Sequence, residues 1–173
     1  MDYREQLKNP ASLRYIDKLA QNVVDVPAEF STAYSLIFDT DLNIAWRAAW
    51  LCQKISIKYP HWFTEKQFQE LASLSVTTMH GGLQRGCLSI LNNLEFPNAI
   101  SVDFLNSCFD KMISPKSPIA VQALSMKILL RICTNEPGFI PELKAYLENI
   151  DYENYSAGFN STRKNVLKVL NSK

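Results

Sequence analysis

The chain has 173 residues, of which 47% are hydrophobic and 20% charged, and its formal net charge is +1. That balance suits a folded chain with one sizeable core, or one compact repeat array, and excludes a disordered polypeptide. It also removes any global electrostatic pull toward nucleic acid or acidic lipid, so such an attraction would have to come from local charge patterning.

The first ten residues are polar and lack the apolar centre of a secretory signal. No apolar run is long enough to span a bilayer. The predicted elements then follow in chain order at about 11–23, 28–38, 42–58, 64–78, 82–95, 102–113, 118–134, 139–148 and 157–171. All are helices, because apolar residues recur at helical spacing and no alternating strand pattern is flanked by tight turns. The breaks fall at Pro27, Pro60, Gly81-Gly82, Pro97, Pro115, Pro118 and Pro137-Gly138, and Asp41 and Ser101 are the expected N-caps. The helix at Ser12–Val23 has the mixed pattern of a terminal cap, and the last helix is charged on its outer side. A monomer is the expectation from those two ends.

Three of the helices share apolar offsets. They are Ile44-x3-Ala48-x2-Leu51-Cys52-x2-Ile55, Leu83-x3-Cys87-x2-Ile90-Leu91-x2-Leu94 and Ile119-x3-Ala123-x2-Met126-x3-Leu130, with a fainter copy from Ala157. Each follows another helix, so a helix pair recurs about every 40 residues, the period of HEAT and armadillo repeats. An evenly spaced helical bundle is the alternative, and it would not repeat the offsets. The expected fold is all-α, a right-handed α-α superhelix of about four hairpin pairs, forming a single domain over 1–173.

The stretch Asn43-Ile-Ala-Trp-Arg-Ala-Ala-Trp-Leu-Cys-Gln-Lys-Ile55 illustrates the pattern. Ile44, Ala48, Leu51, Cys52 and Ile55 form one apolar face; Trp46, Trp50 and Ile57 form another flank; Arg47, Lys54 and Lys58 make a thin polar stripe. This helix resembles the second helix of a HEAT repeat. Pro118-Ile-Ala-Val-Gln-Ala-Leu-Ser-Met-Lys-Ile128, Ile140-Pro-Glu-Leu-Lys144, Tyr155-Ser-Ala-Gly-Phe159 and Asn165-Val-Leu-Lys-Val-Leu170 are similar to a family of small bacterial HEAT-like proteins, over a span from about Asp41 to the end. Members of that family often carry the automatic label adenylosuccinate lyase. The lyases proper have a loop resembling Ser-Ser-x-Met-Pro-x-Lys-x-Asn. Lys111-Met-Ile-Ser-Pro-Lys-Ser-Pro118 offers Met112, Ser114, Pro115 and Lys116, but lacks the serine pair and the asparagine. A helix-stop loop accounts for its prolines, so no enzyme is expected and lyase-like activity is a distant alternative.

Nor does other catalytic chemistry stand out. His61 and His80 lie at turns and read as capping or corner residues without an acid partner nearby. No P-loop, nucleophile elbow, HExxH or dinucleotide fingerprint is present, and only 5 glycines occur, so no cofactor is expected. Cys52, Cys87, Cys108 and Cys133 are widely separated on apolar helix faces, which points to reduced core thiols and a cytoplasmic setting. Trp46, Trp50, Trp62 and Phe63 read first as packing, with an aromatic platform as the alternative.

Charge is the informative polar feature. The second helices carry Arg47, Lys54, Lys58, Arg85, Lys127, Arg131, Arg163, Lys164 and Lys168 against Asp41 and Glu95 alone. Second helices usually line the inner side of such solenoids. The expectation is a basic concave groove, with Arg47, Lys54, Lys58, Arg85, Lys127 and Arg131 as candidate partner-binding residues, for an unidentified protein or acidic peptide. Solubility and helix-dipole complementarity are the simpler account of cations near helix C-termini. Nucleic acid, as in HEAT-like DNA-alkylation-repair glycosylases, is the less favoured partner because those proteins need an acid the second helices scarcely offer; no membrane partner is expected.

Overall fold

The computed structural model describes Met1–Ser172, and among these residues there is no strand. The helices are α1 Tyr3–Lys8, α2 Leu13–Asp25, α3 Phe30–Ser35, α4 Leu42–Lys58, α5 Glu65–Thr77, α6 Gly81–Asn93, α7 Val102–Ile113, α8 Ile119–Asn135, α9 Ile140–Asn149 and α10 Ala157–Leu170. They form two compact units, Met1–Glu95 and Phe96–Lys173. In each, one helix of a hairpin packs directly on the corresponding helix of its neighbour, which makes the protein an all-α helical repeat.

In the first unit α4 is central, packing on α2 to one side, on α6 to the other, and on α1 and α3. Its start is fixed by Asp41, whose carboxylate accepts the Asn43 amide at 2.8 Å, and Pro60 follows its end. Ala45, Ala48, Ala49 and Cys52 are all buried, so α4 meets its neighbours through small side chains. The tightest point is Gly86 of α6. A Cβ there would lie 2.7 Å from the Ala49 Cβ, nearer than real Cβ atoms approach. Its backbone is ordinary helix, with no positive φ, so glycine is required here for space and not for conformation. α5 opens with a capping box, in which Thr64 Oγ1 accepts the Gln67 amide and Gln67 Oε1 accepts the Thr64 amide. His80 caps α6: its Nδ1 accepts the Leu83 amide at 3.1 Å. Gly81-Gly82, expected as a break, instead forms the first turn of α6.

Two parts of this unit depart from the sequence reading. The predicted helix over 28–38 is a single α turn and a half, α3, flanked by 3-10 turns at Pro27–Glu29 and Leu36–Phe38. α1 is an additional helix. It is short and mostly polar, yet Tyr3 and Leu7 are fully buried, the Tyr3 hydroxyl donates to Glu29, and Arg4 Nε donates to Asp39 at 2.7 Å.

In the second unit α8 packs on α7 and α10, burying Met126, Ile128, Leu129 and Ile132. Gln122, itself buried, fastens the α7–α8 turn by donating to the Ser114 carbonyl at 2.7 Å. Tyr155 donates its hydroxyl to the Ile113 carbonyl, tying the approach to α10 onto the end of α7. Lys164, Asn165 and Lys168 of α10 are exposed.

Candidate functional site

α4 and α6 contain no Asp or Glu. Burial divides α4 into a core side and one open stripe, made of Trp46, Trp50, Gln53, Lys54, Ile57 and Lys58. On α6, Arg85 is exposed, and Gly82 and Ser89 are partly exposed.

The candidate cations divide sharply. Arg47 corrects the expectation of a solvent-facing stripe. It is 7% exposed, and its Nη1 donates to the carbonyls of Leu7 and Lys8 at 2.8 and 2.7 Å. Those are carbonyls at the C-terminal end of α1, which a helix cannot satisfy for itself, so Arg47 is a cap supplied from α4. Its Nε is buried without a hydrogen-bond partner, and its guanidinium carbon lies 5.5 Å from the Trp46 ring centre. Lys54 is half-buried and paired with Asp17 of α2 at 3.0 Å. Lys58 and Arg85 are exposed. In the second unit Lys127 is exposed, whereas Arg131 is half-buried with its guanidinium carbon 4.4 Å from the Phe96 ring centre, and this burial lowers its pKa from the usual arginine value. Arg163 donates to the Leu147 carbonyl and covers Tyr152. Neither α8 nor α10 carries an acid, while α7 and α9 carry Asp103, Asp110, Glu142 and Glu148.

The aromatics also divide. Trp62 and Phe63 meet Phe30 of α3 edge-on at 5.5 and 5.0 Å, which anchors the start of α5. Trp46 and Trp50 are only half-buried. Their rings lie 13° from parallel with centres 5.9 Å apart, and Trp46 continues at 6.5 Å and 23° onto His80. This ladder was missed as a unit by sequence reasoning: the i, i+4 spacing of the tryptophans is visible, but His80 joins them only through the α4–α6 contact.

Chemistry beyond binding finds little to work with. Among the described residues no group of three or more His, Cys, Asp and Glu could hold a metal ion. All four cysteines are free and buried. Burial pushes Cys87 and Cys108 up to about 12 and raises Cys52 as well, so these three thiols are protonated at neutral pH. A thiol reagent such as Ellman's is expected to titrate none of the three at an appreciable rate in the folded protein and all of them in guanidinium; rapid labelling without denaturant would contradict the packing. His61 is exposed in the 3-10 turn Pro60–Trp62. The lyase-like stretch is the last turn of α7 and the loop after it, where Ser114 Oγ accepts the Lys116 amide at 3.3 Å and Lys111 Nζ donates to Ser107.

Helical hairpins whose helices stack on like helices define a repeat protein. A family model described as HEAT repeat domain matches residues 3–170. The chain therefore belongs to the HEAT repeat family, a class of helical-repeat scaffolds, and α1 lies inside the matched span. No curated protein and no solved structure matches it significantly. No helix among the described residues is long and apolar enough to cross a membrane.

Proposed function

We propose that the protein is a non-catalytic scaffold that holds an acidic segment of another protein along a basic groove lined by its second helices. The observation that carries this reading is the absence of any acid from α4 and α6, where Lys58 and Arg85 stand exposed beside half-open tryptophans. Lys54 is a weaker contributor because Asp17 already neutralises it. Lys127 and Arg131 of the second unit offer the same charge to the same class of partner. Residues 1–173 are proposed to work as one monomeric solenoid domain in the cytoplasm, supported by a family match that crosses both units, polar outward residues on α10 and four reduced cysteines.

The test is a titration with a fluorescent oligo-glutamate peptide. Reversing both open cations (Lys58→Glu with Arg85→Glu) is expected to weaken binding about tenfold or more, because each exposed pair contributes up to about 1 kcal/mol and reversal adds repulsion. Unchanged affinity in a folded double variant would remove the groove. Arg47 is unsuitable for this test, since it is buried and holds the end of α1. Duplex DNA is the control ligand: tight binding with a steep salt slope would favour the nucleic-acid alternative instead.

A further inference from the structure

The ladder on α4 is more than a packing feature. The near-parallel rings of Trp50, Trp46 and His80 are offset, so each tryptophan stays half-open to solvent. Ile57, 60% exposed, continues the apolar strip along the same face of α4. Gly82 keeps the far end of the ladder clear: a Cβ there would come within 3.1 Å of His80 Cε1 and 3.7 Å of Trp46 Cδ2. The result is a strip of aromatic and apolar surface with cations along its edge, at Lys58 of α4 and Arg85 of α6.

We infer that this strip is the anchor point for an aromatic side chain carried within an acidic segment of a partner polypeptide. Tryptophan faces attract cations as readily as aromatic rings. Here, however, neither α4 nor α6 carries an acid, and Asp17 of α2 is already paired with Lys54, so a cationic anchor would be repelled by Lys58 and Arg85, and a neutral ring flanked by carboxylates satisfies both the apolar strip and its rim. This rests on the groove reading above and adds the side chain that reads the strip.

Two capped peptides test it against the full chain: an oligo-glutamate with one central tyrosine, and its twin with alanine there, each titrated by calorimetry. The tyrosine peptide is expected to bind about tenfold tighter, the worth of one well-placed aromatic contact with its burial. Trp50→Ala and Ile57→Ser should each shrink that preference to about twofold. Ile57 is exposed, so its variant decides the matter even if Trp50→Ala fails to fold. Equal binding of the twins overturns the anchor and leaves the groove standing. Binding of neither removes both. A single-stranded oligothymidylate that binds more tightly than the tyrosine peptide, and loses affinity in Trp50→Ala, assigns the strip to base stacking and also overturns the inference.

Discussion

Replacing Gly86 with valine is expected to destabilise the protein by about 3 kcal/mol, because the new side chain has nowhere to go. The atom a Cβ would strike is the Ala49 Cβ at 2.7 Å, with the Ala49 backbone carbons at 3.6 and 3.7 Å behind it. Neither can swing aside as the tip of a long side chain would, so α4 and α6 must move apart. That separation opens the surface where buried Ala45, Ala48 and Cys52 lie close to their neighbours. Alanine is the sharper test because two effects oppose. It gains about 1 kcal/mol of helix propensity over glycine, and it costs about 1–3 kcal/mol of overpacking. Packing is expected to win, lowering the thermal midpoint by several degrees, and adding Ala49→Gly should return part of the loss. A Gly86→Ala variant more stable than the parent would mean that the two helices part freely. Because the clash is short and both partners are backbone-anchored, that outcome would contradict the central contact of the first unit.

Arg47→Ala is the second large effect, and it is expected to be local. The substitution removes the donors to the Leu7 and Lys8 carbonyls, which together contribute about 2–3 kcal/mol as charge-assisted bonds to otherwise unsatisfied groups. α1 is too short to persist on its own helical propensity. It should therefore detach, despite Arg4–Asp39 and Tyr3–Glu29, and the loss in global stability is bounded by what its docking was worth. Amide hydrogen exchange reads this directly: protection should vanish across α1 and remain across α4 and α6. If the α1 amides stay as protected as in the parent, the cap is not what holds it.

These two residues mark what was legible in the sequence and what was not. The bounds of α4 and α7 could be read because their signals are local: Asp41 and Ser101 cap them, and Pro60 follows the end of α4. The repeat offsets likewise identified helices that stack on one another, α4 on α6 and α8 on α10. α1 could not be read, since its helix is stabilised by an arginine 39 and 40 positions away rather than by its own pattern. For the same reason Arg47 looked like part of an open stripe. Helical spacing places it at the stripe's edge, and only the docking of α1 buries it. The pairing of Lys54 was hidden for a related cause. α2 packs beside α4, so Asp17 comes from a helix that the charge pattern had set apart as a terminal cap. Lys58 and Arg85 survive as open cations because nothing folds over them.

The separation of charge between helices has a consequence for the protein as a solute. A net charge of +1 gives molecules almost no reason to keep their distance. Yet in the second unit α8 and α10 carry five cations and no acid, whereas α7, α9 and the turn containing Asp151 and Glu153 carry six acids against Lys111 and Lys144. That unit is therefore an electric dipole with little monopole. In dilute buffer the positive side of one molecule attracts the negative side of the next, and nothing at longer range opposes it. Added salt shortens the reach of that attraction to about 10 Å at 0.1 M. The protein should accordingly be a colloid that dissolves better as ionic strength rises, the reverse of one kept apart by its charge.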